Sequence, residues 1–183
     1  MPRFELDLNP VDHITTDAIG QPGKRVFYIQ GVQGDQVVTL IVEKIQIQTL
    51  ALGVEEFLQE IANRFPHLSA PTAEFDESKM RISPPVDPLF RVGELALAYD
   101  ADNDRVILIA RELVAEEEMG EDLASMEERA AVVRFWCTRS QIHAMARWGL
   151  EVAARGRPIC PYCGQPIDPE GHFCPKRNGH KKH

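Results

Sequence analysis

The chain has 183 residues, 44% of them apolar and 26% charged, with a formal net charge of −8. That is room for one buried core and a small appendage, and no apolar run reaches the length needed to cross a bilayer. The negative charge is concentrated: residues 156–183 hold five bases against two acids, which leaves a formal −11 for the remainder. So acidic a body repels a phosphate backbone, which argues against nucleic-acid binding by the body and leaves only the tail for that role.

The N-terminal Phe4-Glu5-Leu6-Asp7 alternates like a strand and carries acids, unlike a signal peptide. A reducing cytoplasm is the expected compartment, where clustered cysteines suggest metal before disulfide. "HITTDAIG" reads as a further strand, ended by the turn sequence Gly20-Gln21-Pro22-Gly23. The β-rich runs Val26 to Ile29 and Val37 to Val42 flank a polar turn and predict a hairpin. Ile47, Leu50, Ala51, Val54, Phe57, Leu58 and Ile61 then recur at three- and four-residue steps, one apolar face of a helix. Residues 66–89 carry Pro66, Pro71, Pro84, Pro85 and Pro88, composition that predicts a surface loop.

The second half repeats the order. "FRVGELALAYD" and "RVILIAREL" predict a hairpin across Asp100 to Asp104, "AAVVRFWCT" a third strand, and "SQIHAMARWGLEVAARG" a helix opened by a Thr138/Gln141 capping box. Without gaps, at an offset of 95 residues, Val37, Val38, Gln46, Ile47 and Ala51 fall on Val132, Val133, Gln141, Ile142 and Ala146. The expectation is an α+β fold: a mainly antiparallel sheet built from two βββα pseudo-repeats, residues 10–65 and 90–156, with two amphipathic helices. Residues 1–156 form the body in this division and residues 157–183 a zinc-knuckle tail.

The tail contains "CPYCGQPIDPEGHFCPKRNGH", residues 160–180. Two residues between Cys160 and Cys163 let a tight turn aim both thiolates at one ion, and Gly164 lets the backbone curl toward the sulfurs. Cys174 supplies a third sulfur, and zinc's tetrahedral preference asks for a fourth ligand, with His172 and His180 both within reach. A redox pair would be expected at the start of a helix, which Pro158, Pro161, Pro166, Pro169 and Pro175 preclude. A proline-rich segment with so few apolar residues needs a staple to fold, and a closed four-ligand set with no carboxylate base outside turn sequences reads as structural zinc.

"GQPGKRVFYIQ", "VEKIQIQTLA", "FRVGELALAYD" and "GRPICPYCGQPIDPEGHFCPKRNG" together resemble an uncharacterised bacterial family, domain-of-unknown-function family thirty-ninety, over nearly the whole chain. The resemblance implies His172 as the fourth zinc ligand, with His180 the alternative, because the position of His180 is taken by an aromatic in some members. It implies no activity, substrate or catalytic residue.

Other motifs carry less. Asp100, Asp102 and Asp104 open like a calcium loop, but Arg105 and Arg111 stand where a glycine and a bidentate glutamate are required, so the segment is a hairpin turn. Lys24, Arg25 and Arg91 are candidate anion-binding cations of the body. The acidic run of residues 116–128 is a solvated loop or, more sharply, a docking site for a basic protein partner. His143 is expected on the helix surface and Cys137 as a small buried hydrophobe. No nucleophile, base and orienting group assemble, so the leading expectation is a non-enzymatic binding or adaptor module with a structural zinc site. Two alternatives stand beside it: an enzyme acting on an anionic, phosphorylated small molecule through Lys24, Arg25 and Arg91, and RNA binding through the basic tail.

Overall fold

The computed structural model describes residues 4–21, 23–114, 129–155 and 161–163. In chain order these form β1 (Glu5–Leu8), β2 (His13–Ile19), β3 (Val26–Gln33), β4 (Gln36–Val42), α1 (Lys44–Arg64), a 3-10 turn (Glu77–Lys79), β5 (Pro88–Asp100), β6 (Arg105–Glu112), β7 (Val132–Cys137) and α2 (Arg139–Ala154). The fold is α+β, and β2 to α1 and β5 to α2 each run three strands and a helix. The strands make one seven-stranded sheet in the order β1-β7-β6-β5-β4-β3-β2.

That sheet is mixed, which corrects the expectation of a mainly antiparallel one. β4 and β5 are parallel neighbours, joined across α1, and β1 runs parallel to β7 from the far end of the sequence. Hairpin signals report only neighbours joined by tight turns, whereas parallel neighbours need long connections that leave no local trace.

The sheet also curls. β1 and β2 lie at opposite ends of the strand order, yet only four residues separate them. Leu8 and His13 therefore lie within about 18 Å of one another, whereas seven strands laid flat would hold their outer members about 29 Å apart. The connection bonds to both ends, with the Val11 N–H donating to the Trp136 carbonyl of β7 and the Asp12 N–H to the Val32 carbonyl of β3. Where the ends meet, the Phe135 ring of β7 lies directly on Gly31 of β3: a Cβ on Gly31 would stand 2.5 Å from two ring carbons.

Both helices begin on matching caps. Thr138 Oγ1 accepts the Gln141 N–H and Gln141 Oε1 accepts the Thr138 N–H, as the capping box predicts. At the equivalent start of α1, Gln46 Oε1 accepts the Glu43 N–H. Behind these caps Ile47, Leu50, Val54, Ile142, Met145 and Trp148 join Ile29, Leu40, Leu108 and Phe135 in one core. Cys137 is fully buried, as its place beside Trp136 predicts, and burial pushes its thiol far up.

The proline-rich connection is more than a surface loop. Polar side chains on β2 and β3 are buried because they bond its backbone: Thr15 Oγ1 donates to Met80 O, Gln30 Nε2 to Ser83 O, and Gln30 Oε1 accepts the Ser83 N–H. Asp17 accepts the Ile82 N–H and pairs with Arg81. Each satisfied group would otherwise cost about 1–3 kcal/mol on burial, so these residues tie the connection down as a strap. Among the described residues no helix is long and apolar enough to cross a membrane.

Candidate functional site

Four of the five predicted zinc ligands, Cys160, His172, Cys174 and His180, lie outside the described residues, as does the acidic run 116–128. Cys163 is half-buried in the turn of residues 161–163. No group of three or more metal-ligating side chains occurs among the described residues.

Of the three candidate anion-binding cations, Lys24 and Arg25 are neighbours in the β2–β3 connection and Arg91 lies on β5. Arg25 donates from Nη1 to Val152 O at 3.0 Å and from Nη2 to Ala153 O at 3.5 Å, with its guanidinium 5.0 Å from the Phe27 ring centroid. These are carbonyls of the last turn of α2, where a cation complements the helix dipole. Arg91 pairs with Glu43, the N-cap of α1, at 2.7 Å. Lys24 is exposed in the β2–β3 turn. Two of the three thus hold opposite helix termini.

A tighter cluster of titratable groups was not singled out from the sequence. Asp104, at the β5–β6 turn with a left-handed φ of 50°, accepts Tyr99 Oη at 2.7 Å and Arg139 Nε at 2.8 Å. Arg139 also donates to Ser69 O. Burial, reinforced by the Asp104 carboxylate, pushes the Tyr99 hydroxyl up to about 12. The Arg139 hydrogen bonds hold Asp104 below the usual carboxylate range. The segment that resembled a calcium loop is thus a hairpin turn whose last acid fastens it to the start of α2 and to the strap. Its only sequence signal is an aspartate in a tight turn, which names no partner.

The histidines are also tied into the body. His143 Nε2 lies 2.7 Å from Glu55 Oε1, linking α2 to α1, so its place just off the apolar face becomes an interhelical contact. His13 at the start of β2 has its Nε2 buried without a hydrogen-bond partner, and burial lowers its pKa despite a backbone bond with Lys79.

A groove of about 440 Å³ runs between α1 and β5. Ile45, Thr49, Leu50 and Gly53 line the helix side and residues 93–97 the strand side. Ile45 is 65% exposed there, an unusual position for isoleucine on a helix that also has a well-buried face. A second cleft of about 260 Å³ shares Gly93 and Glu94 and extends along Arg111, Glu112, Leu113 and Val114 to Ala130. The described residues that flank the acidic run, Val114 and Ala130, thus line this second cleft.

A family model described as a protein of unknown function (DUF3090) matches residues 6–174, and the chain belongs to that family. No curated protein and no solved structure matches it.

Proposed function

We infer that this member of the family is a binding or adaptor module whose C-terminal tail is held by one structural zinc ion. The observation that carries the reading is the ligand set: Cys160, Cys163 and Cys174 with His172, or His180 in its place, give three sulfurs and one nitrogen at spacings that close a tetrahedron. A thiolate-rich set of four leaves no position for a reacting water, so the metal holds the fold of residues 157–183 rather than performing chemistry.

The body supports binding over turnover. Its clustered perturbed groups, Tyr99, Asp104 and Arg139, serve one another and the strap. Arg25 and Arg91, which an anionic substrate would need, hold the ends of α2 and α1. The seven carboxylates of residues 116–128 suit a basic protein partner.

Metal analysis of the purified chain tests the zinc assignment, with about one zinc per chain expected. His172→Ala should lose the metal while His180→Ala keeps it. Zinc-free protein with a protease-resistant tail would sink the assignment. Turnover of a phosphorylated metabolite that is abolished in Arg91→Ala would replace the binding reading with an enzymatic one. Salt-dependent retention of RNA on a filter, lost with the tail, would replace it with RNA binding.

A further inference from the structure

Alternate residues of a strand share a face, so His13, Thr15 and Asp17 stand in a row on β2. Gln30 of β3 lies opposite Thr15, and Thr39 of β4 lies opposite Gln30. The strap crosses this polar row and is bonded to it at successive points. Lys79 bonds the His13 ring through its backbone, Met80 O accepts from Thr15, the Ile82 N–H donates to Asp17, and Ser83 both donates to and accepts from Gln30. Gln30 also donates to the Thr39 hydroxyl. Against these satisfied groups stands His13 Nε2, buried with no hydrogen-bond partner.

His13 lines a cleft of about 280 Å³ between the strap, from Glu74 to Met80, and the first turn of α2. The groups facing it from each side are mixed in charge. The strap brings Glu74, Asp76 and Lys79, the β1–β2 connection brings Asp12, and α2 brings Ser140 and Gln141, neither of which titrates. Two of the carboxylates are already engaged, Asp12 with the Gly34 N–H and Asp76 with the N–H and hydroxyl of Ser78. The Lys79 ammonium and the positive end of α2 both oppose a cation in the cleft. A proton on Nε2 would therefore place a charged donor in an enclosed position with no acceptor, a far costlier burial than that of the neutral ring.

We propose that the strap is an acid-released cover: proton uptake by His13 lets residues 74–82 come away from β2, with the Gln30–Ser83 bonds left as the hinge. Release gives the imidazolium water and acceptors. It also uncovers the Thr15 hydroxyl and the Asp17 carboxylate, 0% and 4% exposed under the closed strap, and parts Phe75 from the Trp148 ring, 5.5 Å away. Burial holds the His13 pKa down while the strap is closed. With the strap open the ring returns to about 6.5, so closure has its full strength above that value and weakens as pH falls from it toward the closed-state value. From about pH 7.5 to about pH 5.5 the open fraction should rise by up to about tenfold, the linkage limit for one proton.

The test is amide hydrogen exchange by NMR on the full chain, with rates corrected for the intrinsic effect of pH. Protection of the Met80 and Ile82 amides should fall by up to about tenfold between about pH 7.5 and about pH 5.5. In low urea these amides should exchange at an unchanged rate, whereas the core amides of Leu40 and Leu108 should follow global unfolding. His13→Gln, neutral throughout, should hold the strap amides to within about twofold across that range. His143→Gln should keep the full response. A second reading needs no variant: the His13 ring signals of the wild-type chain should titrate below 6.5. Strap protection that is unchanged by pH, that falls equally in His13→Gln, or that loses its response in His143→Gln overturns the proposal. So does a His13 titration at or above 6.5, or strap exchange with the urea dependence of the core, since the strap would then leave only when the whole fold does.

Discussion

Gly31→Ala is the sharpest probe of how the sheet closes. The added Cβ would lie 2.5 Å from both Cδ1 and Cε1 of Phe135, and 3.6 Å from Leu8 Cδ2. Carbon atoms prefer about 3.5–4.0 Å, so the methyl overlaps the ring by about 1 Å or more. The ring has little room to retreat: Phe135 is 0% exposed and stands between Leu8 and Leu108 in the strand register, both also fully buried. Overpacking of this kind costs about 1–3 kcal/mol, offset by up to about 1 kcal/mol because alanine restricts the unfolded chain more than glycine does. With overlap on two ring atoms, the expected net loss is about 2 kcal/mol. Urea titration followed by tryptophan fluorescence and by far-ultraviolet circular dichroism measures it, the two transitions coinciding if unfolding is two-state. Phe135→Leu should then relieve the clash, so that Gly31→Ala costs at least about 1 kcal/mol less in the Phe135→Leu background than in wild type. Stability of Gly31→Ala within about 0.5 kcal/mol of wild type, or strict additivity of the pair, would refute contact between β7 and β3 across the curled sheet.

Other outcomes follow from single contacts. Gln30→Leu leaves Ser83 N–H, Ser83 O and the Thr39 hydroxyl without Gln30, and should lower stability by about 2 kcal/mol in the same titration; proteolysis within residues 70–83 should accelerate with it. Burial lowers the His13 pKa below 6.5, so the unfolded chain binds the proton more readily and stability falls as pH drops from about 6.5 through the folded value. His13→Gln should flatten that slope in melts taken from pH 7 to 5. Asp104 has a depressed pKa, so its contribution is present above the ordinary carboxylate range and is lost as pH falls through the folded value. Asp104→Asn should cost about 1–2 kcal/mol at neutral pH, and much less when combined with Arg139→Gln, as a double-mutant cycle would show. If the proposed zinc holds the tail, adding a chelator should expose Lys176 and Arg177 to trypsin while the far-ultraviolet spectrum of the body persists; a tail equally resistant with and without chelator would contradict the staple.

The elements themselves were legible because each is specified within a few residues. The apolar spacing from Ile47 to Ile61 marks the buried face of α1, and Thr138 with Gln141 closes a cap across three positions. The functional surface was less legible. Lys24, Arg25 and Arg91 were grouped as cations of one acidic body, but a charge does not announce its partner, and Arg25 finds its acceptor 127 residues away.

By itself, then, the amino-acid order determined the strands, both helices and their caps. Each of these follows from short-range periodicity, from turn chemistry or from the reach of a few bonds. Tertiary structure decided which strands became neighbours. It set β1 parallel to β7, curled the sheet until Phe135 met Gly31, and bound the strap through Thr15, Asp17 and Gln30. Those choices come from burying one shared core and satisfying polar groups far apart in the chain, terms that appear only once the whole chain is folded.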